Sequence, residues 1–237
     1  MNTSKNIVIK IGGSLLFNDN RSVNLDKIIN FCDIISEQNK FGQKVIICGG
    51  GMIAREYINS VRTLSENEAL CDLFGIDISR TNAKLFISAL GEFAFPLVPE
   101  NIEELSTALL HDKIIVMGGL QPGQSTTSVA CEVAEFVNAE ILVILTDVKG
   151  IYDKDPKKYP DAKLLDRLTY SELQKLILTS SENDQAAAGE YRIFDAVSLQ
   201  ILKRSKIRTI VTSGLELQEF KKFWKGKKQL IGTELIE

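Results

Sequence analysis

At 237 residues the chain is long enough for one large α/β domain, or two lobes sharing a sheet, around a substantial core. With 44% hydrophobic and 25% charged residues it has the composition of an ordinary globular protein. A net charge of −3 argues against a general nucleic-acid binder, so an anionic substrate must be held by local groups.

The four cysteines, Cys32, Cys48, Cys71 and Cys131, form no CxxC pair, and His111 is the one histidine. A zinc site is hard to assemble from these, and no metal-ligating residues are assigned. Buried reduced thiols in a cytoplasmic protein are expected. The N-terminus lacks the apolar core of a signal peptide. No apolar run approaches the ~20 residues of a membrane span.

In chain order, residues 7–11 read as a buried strand that breaks into Gly12-Gly13-Ser14. Val23, Ile28, Ile29, Cys32 and Ile35 then have rough helical spacing. A second strand, 45–48, ends in Gly49-Gly50-Gly51 and runs into a helix from about 52 to 61. Ser65 and Glu68 have capping-box spacing and predict a long helix past Arg80 towards Leu90. Residues 93–98 read as a strand, with Pro96 marking an edge or a bend.

Helix 101–110, strand 114–117 ending in Gly118-Gly119, helix 127–138, and strand 141–145 ending in Thr146-Asp147 follow. Residues 147–163 are turn-rich and predict a hairpin or ordered loop laid over the sheet edge. Thr169 and Glu172 repeat the capping-box spacing and open a helix to about 178. The polar stretch 179–190, containing Gly189, is expected to be mobile when no ligand is bound. Helix 193–204, strand 207–212, helix 215–224 and a strand near 229–231 close the chain. This alternation predicts a parallel sheet. No linker divides the chain.

Ligands of open α/β sheets bind beyond the carboxyl ends of the strands. Four strand ends rich in small polar residues therefore predict a site for a phosphate-rich ligand. Glycine admits close backbone approach, and helix N-termini present unpaired N–H groups to anions. Tight turns alone also select glycine, so each run by itself is ambiguous. Neither the P-loop pattern nor GxGxxG after the first strand is present. Lys10, one residue from the end of the first strand, could reach a transferring phosphoryl group or snorkel to the surface. Arg55 could back the glycine loop. Ser125, Thr126 and Thr127 can cap a helix and bind an anion. Thr146, Asp147, Tyr152 and Asp155 could clamp a purine and ribose.

These motifs resemble the amino acid kinase family. They are Lys10-Ile11-Gly12-Gly13-Ser14, Gly49-Gly50-Gly51 with Ala54-Arg55, and Gly118-Gly119 with Gln121-Pro122-Gly123-Gln124-Ser125-Thr126. Thr146-Asp147-Val148-Lys149-Gly150-Ile151-Tyr152 with Asp155-Pro156, and Ala188-Gly189-Glu190-Tyr191 leading to Asp195, complete the set. The Gln-Pro-Gly-Gln-Ser-Thr loop and Asp72-Leu73-Phe74-Gly75-Ile76 with Arg80 and Asn82 resemble its archaeal-type uridylate (UMP) kinase branch.

The resemblance implies a three-layer αβα sandwich with a mostly parallel central sheet, forming one domain over 1–237. Residues 1–140 would be the acceptor half and 141–237 the ATP half. It implies phosphorylation of UMP by ATP with Mg²⁺ in pyrimidine nucleotide biosynthesis. It also implies a cytoplasmic homo-oligomer, a hexamer, with a candidate interface in helix 65–90 and neither nucleic acid nor membrane as partner. Gly50, Asp72, Leu120, Gln121, Pro122, Gly123, Gln124, Ser125 and Thr126 would bind UMP. Gly13, Ser14, Gly51, Arg55, Thr146, Asp147, Tyr152 and Asp155 would bind ATP. Lys10 would neutralise the transferring group, and Asp195 would orient a lysine or the metal. Alternatives are a family kinase acting on isopentenyl phosphate, a carboxylate or a carbamate, and a non-catalytic oxyanion- or nucleotide-binding storage protein.

Overall fold

Ile7, Ile9 and Ile11 of strand β1 (Lys5–Ile11) enter one hydrophobic core and Val8 enters another. All four are buried, as in a parallel strand covered on both faces. The computed structural model describes residues 5–37, 40–181, 193–227 and 230–237. In it, β1 is the third of seven strands. On one side lie β2 (Phe41–Cys48) and then β3 (Ile114–Met117), both parallel. On the other lie β4 (Ala139–Thr146) and then β6 (Arg208–Ser213), also parallel. β7 (Thr233–Ile236) runs antiparallel to β6, and β5 (Arg167–Thr169) pairs parallel with β7.

Helices α1 (Leu25–Ser36), α3 (Glu68–Leu90) and α8 (Gln218–Trp224) cover the face of Ile7 and Ile9. Phe31 stacks on Phe220 at 5.6 Å between ring centroids and meets the edge of Phe86 at 5.8 Å. The opposite face carries α4 (Ile102–Ala108), α5 (Thr126–Phe136), α6 (Tyr170–Ser181) and α7 (Ala196–Ser205). The result is the expected three-layer αβα sandwich with a mostly parallel central sheet. Helix α2 (Gly51–Leu64) packs on α3 through Ala54, Ile58, Val61 and Cys71.

Several local expectations are corrected. Ser65 does not cap α3: it ends α2, and the Asn67 side chain accepts the cap bond from the Leu70 N–H. Residues 93–98 form no strand: a 3₁₀ turn at Gly91–Phe93 leads to a single bridge between Ala94 and Ile114. Ala94 is buried and Phe95 and Val98 pack against the cores, while Phe93 and Leu97 stay exposed. The last strand is 233–236 rather than 229–231, and Gln229 lies outside the described residues. So do 188–191, and most of the 179–190 stretch expected to be mobile without a ligand. The Thr169–Glu172 box forms, with the Glu172 carboxylate accepting from the Thr169 N–H at 2.8 Å. In 147–163 Tyr152 bridges Leu164 antiparallel.

The chain steps outward from β1 to β2 to β3, then returns to β4 on the far side of β1. That reversal opens a crevice beyond the strands' carboxyl ends. Gly12, Gly49, Gly118 and Asp147 leave the sheet at that edge.

Candidate active site

The glycine runs meet one another. The Gly12 N–H donates to Leu145 O at 2.8 Å and the Gly49 N–H to Ile11 O at 3.0 Å, continuing the sheet ladder. A Cβ at Gly13 would strike the backbone of Gly50 and Gly51. Gly51 has φ +72°, in the left-handed region that favours glycine. The close approach presses the end of β1 against the start of α2. Gly50, the N-cap of α2, supplies no side-chain acceptor. At α5, Ser125 Oγ accepts from the Ser128 N–H at 3.1 Å. Both helix starts border one cavity of about 220 Å³. Two positive helix ends on one cavity suit an anion.

Lys10 also lines this cavity. It pairs in register with Ile47 and Ile144 and shares the sheet face of Val8, the α5 side. Burial pushes its ammonium down to about 8, opposed by the charge of Asp147. No hydrogen bond or ion pair among the described residues engages Lys10 or Arg55, which borders the same cavity. Gly13, Ser14, Gly50, Gly51, Asp72, Gln124, Ser125, Thr126 and Thr146 join them on the wall. Eleven of the predicted residues therefore share one cavity.

The others lie elsewhere. Gln121, Pro122 and Gly123 are exposed on the loop above, and Leu120 packs partly against the core. The Gly123 N–H donates to Asp72 Oδ2 at 2.8 Å, tying that loop to α3. Tyr152 and Asp155 line a second cavity of about 240 Å³, with Gly150, Pro156 and the α6 residues Leu173, Leu176 and Ile177. Asp147 stands off both walls, and Lys157 donates to its Oδ2 at 2.5 Å.

Asp195, expected among the catalytic residues, is on neither cavity wall. It is the N-cap of α7, in a reciprocal capping box with Ser198. Ser128 Oγ donates to its two oxygens at 2.7 and 2.8 Å, joining α7 to α5. Burial would raise this carboxyl, but hydrogen bonds from Ser125, Ser198 and Ser128 outweigh it and hold the group below its ordinary value. A carboxylate engaged by the Ser128 hydroxyl and the Ser198 N–H positions helices.

Sequence reasoning did not assign Ser79 to the main cavity, nor Ile193, which lines both cavities. The Leu173, Leu176, Ile177 stripe of α6 was visible as helical spacing, but such a stripe reads first as core. Ile193 carried no signal at all.

The model of the amino acid kinase family matches residues 5–213. A uridylate kinase of Methanobrevibacter smithii is 39% identical over 230 residues, covering 97% of this chain and 98% of that protein. A uridylate kinase of Sulfolobus acidocaldarius is 39% identical over 231 residues, covering 97% and 98%. The crystal structure of uridylate kinase from Archaeoglobus fulgidus is similar at TM-score 0.80 and 34% identity, over 97% of this chain and 99% of that one. With a family match across most of its length and relatives that align nearly end to end, the chain belongs to the amino acid kinase family.

Proposed function

We propose that this protein is a uridylate kinase, transferring the γ-phosphoryl group of ATP to UMP to give UDP and ADP. A UMP phosphate oxygen forms the new bond to the γ-phosphorus, the bond to the β–γ bridging oxygen breaks, and ADP leaves. The observation that carries the reading is one cavity lined by Lys10, Arg55 and two helix starts, sharing Ile193 with a second cavity bordered by α6. Phosphoryl transfer asks for positioning and charge neutralisation rather than covalent chemistry. The phosphate oxygen is a nucleophile near neutral pH, so the scarcity of histidine is no obstacle.

In this reading residues 1–140 supply the acceptor half and 141–237 the ATP half. Gly50, Asp72 and the loop from Leu120 to Thr126 bind UMP, with Asp72 on the ribose hydroxyls. Gly13, Ser14, Gly51 and Arg55 face the ATP phosphates, and Thr146, Asp147, Tyr152 and Asp155 hold the adenosine part. Lys10 neutralises charge on the transferring group. Asp195 acts at a distance by holding the start of α5.

Mg²⁺ accompanies ATP in this scheme. Among the described residues no group of three His, Cys, Asp or Glu could hold a metal. The donor set, with Asp147 the carboxylate whose charge acts on Lys10, fits an ion carried mainly by phosphate oxygens and water. Such an ion would neutralise charge between the β- and γ-phosphates.

We further infer a cytoplasmic enzyme of pyrimidine nucleotide biosynthesis, assembled as a hexamer. Four free cysteines support the compartment. Exposed Leu73 and Phe74 on α3 support an interface there, and light scattering would read the mass. No described helix is long and apolar enough to cross a membrane. The activity is tested by coupled ADP release with UMP, CMP, isopentenyl phosphate and acetylglutamate. Turnover with UMP is expected; turnover with another acceptor and none with UMP would sink the reading.

A further inference from the structure

One turn of α3 grips both glycine loops of the main cavity. Asn82, 3% exposed, donates to Gly49 O at 2.8 Å and Gly50 O at 3.2 Å. Ser79 Oγ accepts from the Gly119 N–H at 2.7 Å. Between them, Arg80 reaches across to the loop that follows β3. Its Nε donates to Gly119 O at 3.0 Å, and its Nη2 to Leu120 O at 3.2 Å and Glu100 O at 3.2 Å. Its Nη1 donates to Glu100 Oε2 at 2.7 Å. The Arg80 side chain is 17% exposed and is not on the cavity wall, so it is not placed to touch a substrate.

Resting on the uridylate kinase reading, we propose that Arg80 is a positioning residue for the acceptor nucleotide, fixing the start of the 120–126 loop. Three of its four acceptors are backbone carbonyls, in two segments remote in sequence. A planar guanidinium can satisfy such a set at once, and a lysine ammonium, a single point on a flexible stem, cannot. Two residues of α3 hold the loop: Arg80 at Leu120 and Asp72 at Gly123. Gln121 and Pro122, between these anchors, are exposed. The loop is therefore held before a ligand arrives, and binding spares the cost of ordering it. Releasing Arg80 shifts that cost onto acceptor binding. Lys10 and the start of α2 are untouched, so the chemical step is spared.

The test is steady-state kinetics on Arg80→Lys and Glu100→Gln beside the unmodified protein. Absence of turnover of UMP by the unmodified protein fails the functional reading, independently of Arg80. Given turnover, Arg80→Lys should raise KM for UMP about tenfold, while KM for ATP and kcat stay within about threefold. Glu100→Gln, which keeps Arg80 but weakens its charged partner, should raise KM for UMP in the same direction by less. An unchanged KM for UMP in folded Arg80→Lys overturns the proposal, as does an equal rise in both KM values. Should Arg80→Lys fail to fold, Glu100→Gln decides by the same criterion.

Discussion

Lys10 is the residue on which the proposed chemistry turns, because it brings a positive charge to the end of a buried strand. Burial lowers its pKa to about 8, and the charge of Asp147 holds it from falling further. Lys10→Ala should lower kcat ~10²–10³-fold, in the range seen when one preorganised transition-state donor is removed. UMP affinity by calorimetry should be largely kept. An unchanged kcat would leave neutralisation to the helix starts. The same residue sets a pH dependence. A lysine with a lowered pKa is charged below about 8 and loses its proton as pH rises through that value. The kcat/KM for ATP should therefore fall above about pH 8. Lys10→Arg, which stays charged, should remove that fall if it turns over; a wild-type profile flat well above this pH would detach Lys10 from the step.

At the scale of elements, helix starts decide both stability and site. Ser65-x-x-Glu68 has the spacing of a capping box, yet the turn between α2 and α3 uses Ser65 to end one helix and Asn67 to begin the next. Asn67→Ala should cost about 1 kcal/mol in urea unfolding, with KM for both substrates unchanged, because the cap is remote from the cavity wall. A loss of activity without loss of stability would reassign Asn67. Ser125 and Asp195 behave differently, because their caps are wired together through Ser128. That link explains how a residue adjacent to the site in sequence pattern can be absent from the cavity wall.

Across the whole molecule, the C-terminal helix closes the core beneath one sheet face. Trp224 is 1% exposed and lies 5.6 Å from Phe41 and 5.9 Å from Phe220 between ring centroids. Its Nε1–H donates to Glu37 O at 3.3 Å. Trp224→Ala should destabilise the fold by about 3–5 kcal/mol, measured by chemical denaturation. A smaller cost would mean that α8 collapses into the space left behind. The same strand arrangement that buries this core sends β1, β2, β3 and β4 to a common edge, so stability and site share one topology.

What was legible in the sequence was local. Apolar runs at 7–11, 45–48, 114–117 and 141–145, each broken by small polar residues, marked the four strands and the ligand-facing edge. Ten of the eleven predicted residues on the main cavity came from those breaks and the elements beside them, and Asp72 came from the family resemblance. Hydrophobic periodicity and turn chemistry depend on neighbours in the chain, so they survive without a fold. The tertiary structure alone decided what depends on strand order. It showed that Gly13 is small because Gly51 presses on it, that Asp195 caps a helix, and that residues 93–98 pair only through a single bridge at Ala94. It also joined Arg80 to Gly119 and Leu120, 39 and 40 residues away in sequence. Such contacts carry no periodic signature, because they are set by which strands lie side by side.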